Sequence, residues 1–265
     1  MGLFRPGPRV GVLEVYGPLL GSHRIATYDR MFTGVRENRH LRALVVDIDS
    51  PGGSAPGADL LYHSLRRVAE KKPVVAFIRS VGASGAYYLA CAATRIVASP
   101  AALVGSIGVI SVQPVAQGLI DRLGLGVYVY KGGAHKDLGA FWRTPSVEEQ
   151  ARLQGLVDQF YAAFVQVVAQ ARRLDEAQAR ERATGEVFLA PRAKELGLVD
   201  ELGGFQQAVE LAARLARVPP RAAWLRPRRP LLERLLGRLG PSLLEGVERR
   251  LAEALLPGVY YLPPR

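Results

Sequence analysis

Short apolar runs alternate with amphipathic stretches along most of this chain, and the alternation predicts strands separated by helices. Runs with the composition of buried strands occupy residues 9–16, 41–48, 74–78, 95–98 and 127–130. Apolar side chains at helical spacing predict helices over 24–38, 57–71, 84–93, 114–123, 147–173 and 205–217. Regular strand–helix alternation is typical of an α/β fold whose parallel strands are joined by right-handed crossovers.

A change of composition after two consecutive prolines, 219 and 220, predicts a boundary between two parts of the chain. We interpret 1–218 as one domain and 219–265 as a basic C-terminal arm of short amphipathic helices broken by proline and glycine. From Arg221 onward the arm holds nine arginines and four glutamates, a net charge of +5. Two interpretations stay open: the arm packs on the domain, or it lies on an anionic membrane surface.

Composition excludes several classes of function. The single cysteine, Cys91, rules out a disulfide framework and is expected to be a buried apolar side chain, and four scattered histidines give no zinc-site spacing. We therefore expect no metal or other cofactor. The net charge is +11, but no basic run is interleaved with aromatic residues, so no nucleic-acid partner is expected. No apolar run approaches the ~18 residues of a spanning helix, which predicts a chain that is soluble or peripherally membrane-associated, on a side of the membrane that is left open.

Three glycine-containing loops follow predicted strands. They are DSPGGS at 49–54, VGASG at 81–85 and KGGAHKD at 131–137. Because functional sites in parallel α/β layers collect at the carboxyl ends of strands, these loops are expected to converge. The small residues around Ser84 have two explanations: a helix that starts close against a strand, or a nucleophilic hydroxyl that needs room for a substrate.

The chemistry available to Ser84 depends on a base, since a serine hydroxyl is a poor nucleophile until its proton is removed. Three histidines lie in or beside predicted helices and are interpreted as surface residues: His23, His40 and His63. His135 and Lys136 are neighbours in the third loop, and either could be the base. A lysine serves only as a free amine, which requires burial away from carboxylates.

Backbone N–H groups are needed beside such a serine, because acyl transfer builds negative charge on the carbonyl oxygen. Gly53 could supply one donor and Gly85, directly after the serine, the other. Glycine allows the backbone to approach a substrate closely and to adopt positive φ.

Five motifs in order carry a resemblance to a known family. DSPGGS, SVGASGAYYLACAA, VGSIGVI, KGGAHKD and LGLVDELGG resemble the short bacterial form of signal peptide peptidase A, over about residues 9–218. The resemblance implies a ClpP/crotonase-like spiral of βαβ units and a serine protease with a Ser–Lys dyad. By this resemblance Ser84 is the nucleophile, Lys136 the general base, Ser106 the residue that orients the lysine, and Gly53 an oxyanion-hole donor.

The function implied is an endopeptidase that degrades remnant signal peptides and other apolar peptides, including unfolded segments, through an acyl-enzyme. The resemblance further implies a homo-oligomeric ring in which Ser84 of one protomer meets Lys136 of the next, so that the two residues of one chain are too far apart to hydrogen-bond. Two other classes stay open: an acyl-CoA enzyme of the crotonase type, which shares a glycine oxyanion hole, and a non-enzymatic scaffold.

Overall fold

Eight strands form one sheet in a computed structural model that describes residues 9–227. The strands are β1 Arg9–Tyr16, β2 Leu41–Ser50, β3 Val74–Ala83, β4 Arg95–Ala98, β5 Leu103–Gly105, β6 Val187–Leu189, β7 Glu201–Leu202 and β8 Ala222–Leu225. The helices are α1 Ser22–Glu37, α2 Ala55–Ala69, α3 Gly85–Ala90, α4 Gln117–Arg122, α5 Val147–Arg172, α6 Glu176–Arg182, α7 Ala190–Glu195 and α8 Phe205–Ala216.

The order of strands across the sheet is β6-β5-β3-β2-β1-β8, and a branch from β3 carries β4 and then β7. Every pairing is parallel except that of β5 with β6. A helix follows each of the first three strands and brings the chain back to begin the next parallel strand. The predicted α/β class with parallel strands is confirmed.

Two apolar cores lie on the two faces of the sheet, because successive side chains of a strand point to opposite sides. On β2, Leu44, Val46 and Ile48 join the larger core, whereas Ala43 and Val45 join the smaller one. The larger core includes buried residues of α1, α2, α3 and α5, and the smaller core is covered by α8. The central strands are therefore buried on both sides, which holds their carboxyl ends in fixed positions.

Strand β3 changes neighbours halfway along its length. Its residues 75–78 pair with β4, and its residues 81–83 pair with β5. Between these segments the register against β2 shifts, since Ile48 pairs with Ile78 but Ser50 pairs with Gly82. The bulge directs the end of β3 away from β4 and toward the turn that contains Ser84.

The strand predicted at 127–130 is wrong. The structure assigns no sheet partner to these residues, and the side chains of Tyr128 and Tyr130 are 84% and 95% exposed. Alternating valine and tyrosine fit a pleated, half-buried surface, but nothing in the described part of the chain covers this one. Side chains of this composition are usually buried, and the described part of the single chain does not bury them.

The exposed apolar segment, as we call residues 110–130, extends well beyond these four residues. Its large apolar side chains, each at least 44% exposed, are Ile110, Val112, Val115, Leu119, Leu123, Leu125, Val127, Tyr128, Val129 and Tyr130. Short helix α4 lies within the segment and has no buried residue. So much contiguous apolar surface marks a site of interaction.

The C-terminal part of the described chain returns to the sheet. Ala222–Leu225, where the sequence analysis placed the start of a helical arm, forms β8 beside β1, and the Trp224 ring stacks on Phe205. Of the arm predicted over 219–265, residues 228–265 lie outside the described residues, and with them most of the segment for which membrane contact is predicted. Within 9–227, no helix has the length and apolar character needed to cross a membrane.

Candidate active site

The Ser84 turn, which joins the end of β3 to the start of α3, holds its serine in an unusual backbone conformation. Ser84 has φ 51° and ψ −125°, a region that residues with a side chain seldom adopt. Its N–H donates to the Gly105 carbonyl at 2.8 Å, and its own carbonyl accepts from the Tyr88 N–H at 2.9 Å. Such strain persists where the surroundings hold it, and it is concentrated at functional sites.

Small residues around Ser84 let a second loop approach its backbone. A Cβ atom added at Gly52 would lie 2.6 Å from the Gly85 nitrogen and 2.9 Å from the Ser84 Cβ. Gly52 itself has φ 95°, and Ala58 of α2 packs against Gly85. The glycines and alanines of both loops therefore bring DSPGGS and VGASG into contact, as the sequence predicts for strand ends that converge.

Gly53 lies in a narrow gap between the Ser84 turn and Leu19. A Cβ there would be 2.3 Å from the Leu19 oxygen, and this leucine is bonded to both neighbours of Gly53: its N–H donates to Gly52, and its carbonyl accepts from Ser54. In an extended chain, these bonds direct the intervening N–H of Gly53 to the opposite side. No residue of 9–227 accepts a hydrogen bond from the N–H of Gly53 or of Gly85.

The two free donors lie close together. A Cβ built on Gly85 would be 3.4 Å from the Gly53 nitrogen. Ser54, directly after Gly53, begins α2 by accepting the Gly57 N–H on its side chain, which fixes the loop at its far end. Two unpartnered backbone N–H groups next to a serine form an arrangement that can stabilise an oxyanion.

Ser106 belongs to the same neighbourhood through the backbone. It directly follows Gly105, whose carbonyl binds the Ser84 N–H, and it too has positive φ, 49°. Its N–H donates to the Glu186 carbonyl at 2.6 Å. The chain thus brings together four of the five predicted site residues.

The fifth predicted residue, Lys136, lies on an exposed loop that is organised by its neighbours. Arg143 donates to Asp137 at 3.0 Å and to Glu149 at 2.7 Å, and Lys131 also pairs with Asp137. These charges lower the pKa of the Asp137 carboxyl and bring that of Glu149 to about 2, chiefly through the hydrogen bonds from Lys131 and Arg143 respectively.

Neither the Lys136 amine nor the Ser84 hydroxyl makes a side-chain hydrogen bond to any residue between 9 and 227, and so none joins the two. His135 is exposed on the same loop, and His23, His40 and His63 are exposed elsewhere. The described chain alone leaves both candidate bases in solvent.

A polar group behind the site was missed by the sequence analysis. Asp47 is fully buried on β2, where it accepts from the Tyr16 hydroxyl at 2.8 Å and pairs with Arg79 of β3. Burial and the neighbouring Asp47 carboxylate raise the pKa of Tyr16, and the hydrogen bonds to Asp47 raise the pKa of Arg79. Two aspartates in the apolar run LVVDID were the available signal, since a buried carboxylate requires partners.

Cys91, by contrast, has no part in this arrangement. It is buried in the larger core, and burial raises the pKa of its thiol to about 12. A thiol in this environment stays protonated and unreactive near neutral pH.

Sequence comparison places the chain beside known proteases. The family model "Peptidase family S49" matches residues 66–219. A Synechocystis sp. protein that is provisionally named a protease is 37% identical over 240 residues, or 89% of this chain and 85% of the relative. The chloroplastic serine protease SPPA of Arabidopsis thaliana is 33% identical across 82% of this chain, which spans 33% of that relative.

A protein of Enterococcus faecium that is provisionally named signal peptide peptidase SppA is also similar. It is 30% identical across 66% of this chain and 52% of the relative. The chain therefore spans most of the Synechocystis relative but little more than half of the Enterococcus one.

Solved structures share the fold at low sequence identity. The 1510-N membrane-bound stomatin-specific protease, in a lysine-to-alanine variant with a substrate peptide, has a TM-score of 0.56 and 15% identity, covering 94% of this chain and 99% of its own. ClpP1 from Listeria monocytogenes has a TM-score of 0.50 and 13% identity over 74% of this chain and 93% of its own. The predicted ClpP-like class of fold is confirmed.

Proposed function

Because this chain belongs to peptidase family S49 and is a serine protease, we propose that Ser84 is its nucleophile and Lys136 the general base. The observation that carries the proposal is the strained Ser84 turn, next to which the N–H groups of Gly53 and Gly85 have no acceptor within the described residues. A fixed serine with two free donors beside it has the parts that acyl transfer requires.

The reaction uses these residues in two stages. The neutral Lys136 amine takes the Ser84 proton as Oγ attacks the peptide carbonyl, and the resulting oxyanion accepts hydrogen bonds from Gly53 and Gly85. The lysine ammonium then gives its proton to the leaving amine, which releases the first product and leaves an ester on Ser84. Water hydrolyses the ester, again with Lys136 as the base. The Ser106 hydroxyl accepts a hydrogen bond from the amine and orients it.

We propose that Lys136 acts on the Ser84 of a neighbouring copy in a closed ring. A lysine acts as a base only when desolvated, yet Lys136 is exposed in the single chain. The exposed apolar segment lies a few residues before it along the chain, and burial of that segment against a second copy would remove water from the same region. Head-to-tail contacts of this kind close into rings.

The substrates proposed are remnant signal peptides and other apolar peptides, with unfolded segments among them. The name of the Enterococcus faecium relative points to signal peptides, and the similar 1510-N protease was solved in complex with a substrate peptide. A peptide adds to such a site as an extended strand whose side chains enter small apolar pockets.

Mass spectrometry of products from a mixed library of signal peptides tests the proposal, with Ser84→Ala as the matched control. We expect the wild-type protein to release internal fragments and to be labelled on Ser84 by a fluorophosphonate, and Ser84→Ala to do neither. Cleavage that persists in Ser84→Ala would reject the nucleophile. An unlabelled protein that cleaves no peptide but turns over acyl-CoA would favour the crotonase-type alternative.

A further inference from the structure

The bulge in β3 stands three residues before Ser84 and is held by side chains from β2. While β2 advances by two residues, from Ile48 to Ser50, β3 advances by four, from Ile78 to Gly82. The extra residues bring Ile78 over Gly82, because a Cβ at Gly82 would lie 2.8 Å from the Ile78 side chain. Where a bulge interrupts the regular hydrogen bonds between two strands, the backbone N–H and C=O groups of the bulge need other hydrogen-bond partners.

Asp49 supplies those partners. Its Oδ1 accepts the N–H of Val81 at 3.2 Å, and its Oδ2 accepts the Ser80 hydroxyl at 3.1 Å. Two residues earlier on β2, Asp47 holds Arg79, the first residue of the bulge. Successive carboxylates on one side of β2 therefore bind each of the three β3 residues that lie between the Ile48–Ile78 and Ser50–Gly82 pairings.

The Asp49 carboxylate connects the two loops that form the site. On its own strand, Asp49 comes four residues before Gly53, and its backbone carbonyl accepts the Gly17 N–H at 2.8 Å. On the partner strand, Val81 comes three residues before Ser84. Between the Asp49–Val81 hydrogen bond and the contact of Gly52 with Ser84, the two strands make only the Ser50–Gly82 pairing. A shift of the bulge would therefore move Ser84 relative to Gly53.

We propose that Asp49 is a positioning residue for the nucleophile: by binding Val81 and Ser80 it fixes the bulge, and thereby the distance between the Ser84 hydroxyl and the Gly53 N–H. The inference rests on the proposed role of Ser84. A displacement of about 1 Å in such an arrangement lowers turnover up to about 100-fold, while substrate binding elsewhere on the protein is left intact.

Geometry rather than charge is what Asp49 contributes. Asparagine has the same shape, its amide oxygen can accept the Val81 N–H, and its amide N–H can donate to the Ser80 oxygen, since a hydroxyl both donates and accepts. Alanine leaves the Val81 N–H without an acceptor. Asp49→Asn and Asp49→Ala therefore separate positioning from a need for negative charge.

Steady-state kinetics on an apolar peptide, together with the rate at which a fluorophosphonate labels Ser84, test the proposal on the full chain. We expect Asp49→Ala to lower kcat and the labelling rate by about 10- to 100-fold, with KM changed less than about threefold. Asp49→Asn should restore most of both. Asp175→Ala is the matched control, because Asp175 likewise accepts a backbone N–H, from Gln178 at 2.7 Å, but begins α6.

Ser80→Ala examines the same link if Asp49→Ala fails to fold. It removes one of the two bonds and keeps the one from Val81, so kcat should fall about two- to tenfold at unchanged KM. Unchanged kcat and labelling in the folded Asp49 and Ser80 variants would overturn the proposal. An Asp49→Asn variant that is no more active than Asp49→Ala would also overturn it, as would a loss of kcat in Asp175→Ala equal to that in Asp49→Ala. Failure of the wild-type protein to label at Ser84 would instead reject the proposed function on which the inference rests.

Discussion

The Ser84 turn and the exposed apolar segment, which ends just before the Lys136 loop, differ in how completely one chain builds them. Around Ser84 the residues 85–90 are all buried, and backbone contacts come so close that only glycine fits at 52 and 53. In the exposed apolar segment, ten large apolar side chains are at least 44% exposed, and α4 buries no residue. One region is held by its own chain, whereas the other has the surface of a region that requires a partner.

The difference separates the two halves of the proposed dyad. The proposed nucleophile, its proposed oxyanion donors and Ser106 belong to the region that is complete in one chain, but the proposed base lies on the loop that follows the incomplete region. If this division is functional, changes near Ser84 act on chemistry directly, and changes in the exposed apolar segment act through assembly.

The largest effect is expected from removal of either half of the dyad. Ser84→Ala and Lys136→Ala should each lower peptidase turnover by about 10⁴-fold or more, without loss of fold, because neither side chain makes a hydrogen bond among residues 9–227. His135→Ala, the neighbouring control, should retain most of the activity. The turnover of each variant is measured on one apolar peptide. An inactive His135→Ala variant beside an active Lys136→Ala variant would assign the base to His135 instead of Lys136.

The second-largest effect is expected from Gly52→Ala, since the added Cβ would clash with backbone atoms that cannot move freely. The added carbon would lie 2.6 Å from the Gly85 nitrogen and 2.8 Å from the Ala83 oxygen, at a residue with φ 95°. We expect kcat to fall by about 100-fold as the two loops separate. Gly34→Ala in α1 is the control, because nothing lies within 4 Å of its Cβ. Normal kcat in Gly52→Ala would show that the close contact has no role in turnover.

The sequence was most informative where a pattern has one physical meaning. Alternating or continuous apolar runs predicted β1 and β4 to the residue and β2 and β3 with shorter ends, because strands buried on both faces leave few other choices. The four residues near the Ser84 turn were predicted from spacing and resemblance, and strand ends brought them together. The bulge was missed, because nothing in IRSVGAS distinguishes inserted residues from a loop.

The prediction for residues 127–130 was wrong for a different reason. Valine and tyrosine in alternation indicate that side chains require burial, but they do not say whether the covering surface comes from the same chain. The length of β3, which continues through residue 83, was likewise hidden, since Arg79 and Ser80 are polar and face away from the cores. Polar residues that bind carboxylates of a neighbouring strand resemble a loop until that strand is known.

Substitution of the exposed tyrosines tests the incomplete region separately. Tyr128→Ser together with Tyr130→Ser should raise the apparent dissociation constant of the assembly at least about tenfold, since buried tyrosines are among the strongest contributors to interfaces. Activity per chain should fall with dilution accordingly. Leu60→Ser, at an exposed leucine of α2 outside the segment, is the control. Analytical ultracentrifugation at several concentrations measures the effect, and an unaltered assembly in the double variant would remove the segment from the interface.

Acid should loosen the Lys136 loop, and this is the smallest effect expected. The pKa of Glu149 is about 2 in the fold against 4.5 ordinarily, so its pairing with Arg143 contributes fully above pH 4.5 and is lost as pH falls toward 2. The protection factors for hydrogen exchange across residues 131–149, which correct for the intrinsic pH dependence of exchange, should therefore fall over that range. Arg143→Gln should lower these protection factors already above pH 4.5 and make them depend less on pH, because the pairing that acid removes is absent. Protection factors that stay constant from pH 5 to pH 2.5 in the wild-type protein would contradict this account of the loop.

The central claim, that one protomer supplies the serine and the next supplies the lysine, is tested most directly by mixing two inactive variants. Ser84→Ala and Lys136→Ala are unfolded together in equal amounts and refolded, with each variant refolded alone as a control. Random assembly around a closed ring leaves about one site in four with both residues intact, so activity should recover to about a quarter of the wild-type value. A mixture that folds and assembles but stays as inactive as its components would contradict the claim, because a dyad within one chain cannot be restored by mixing.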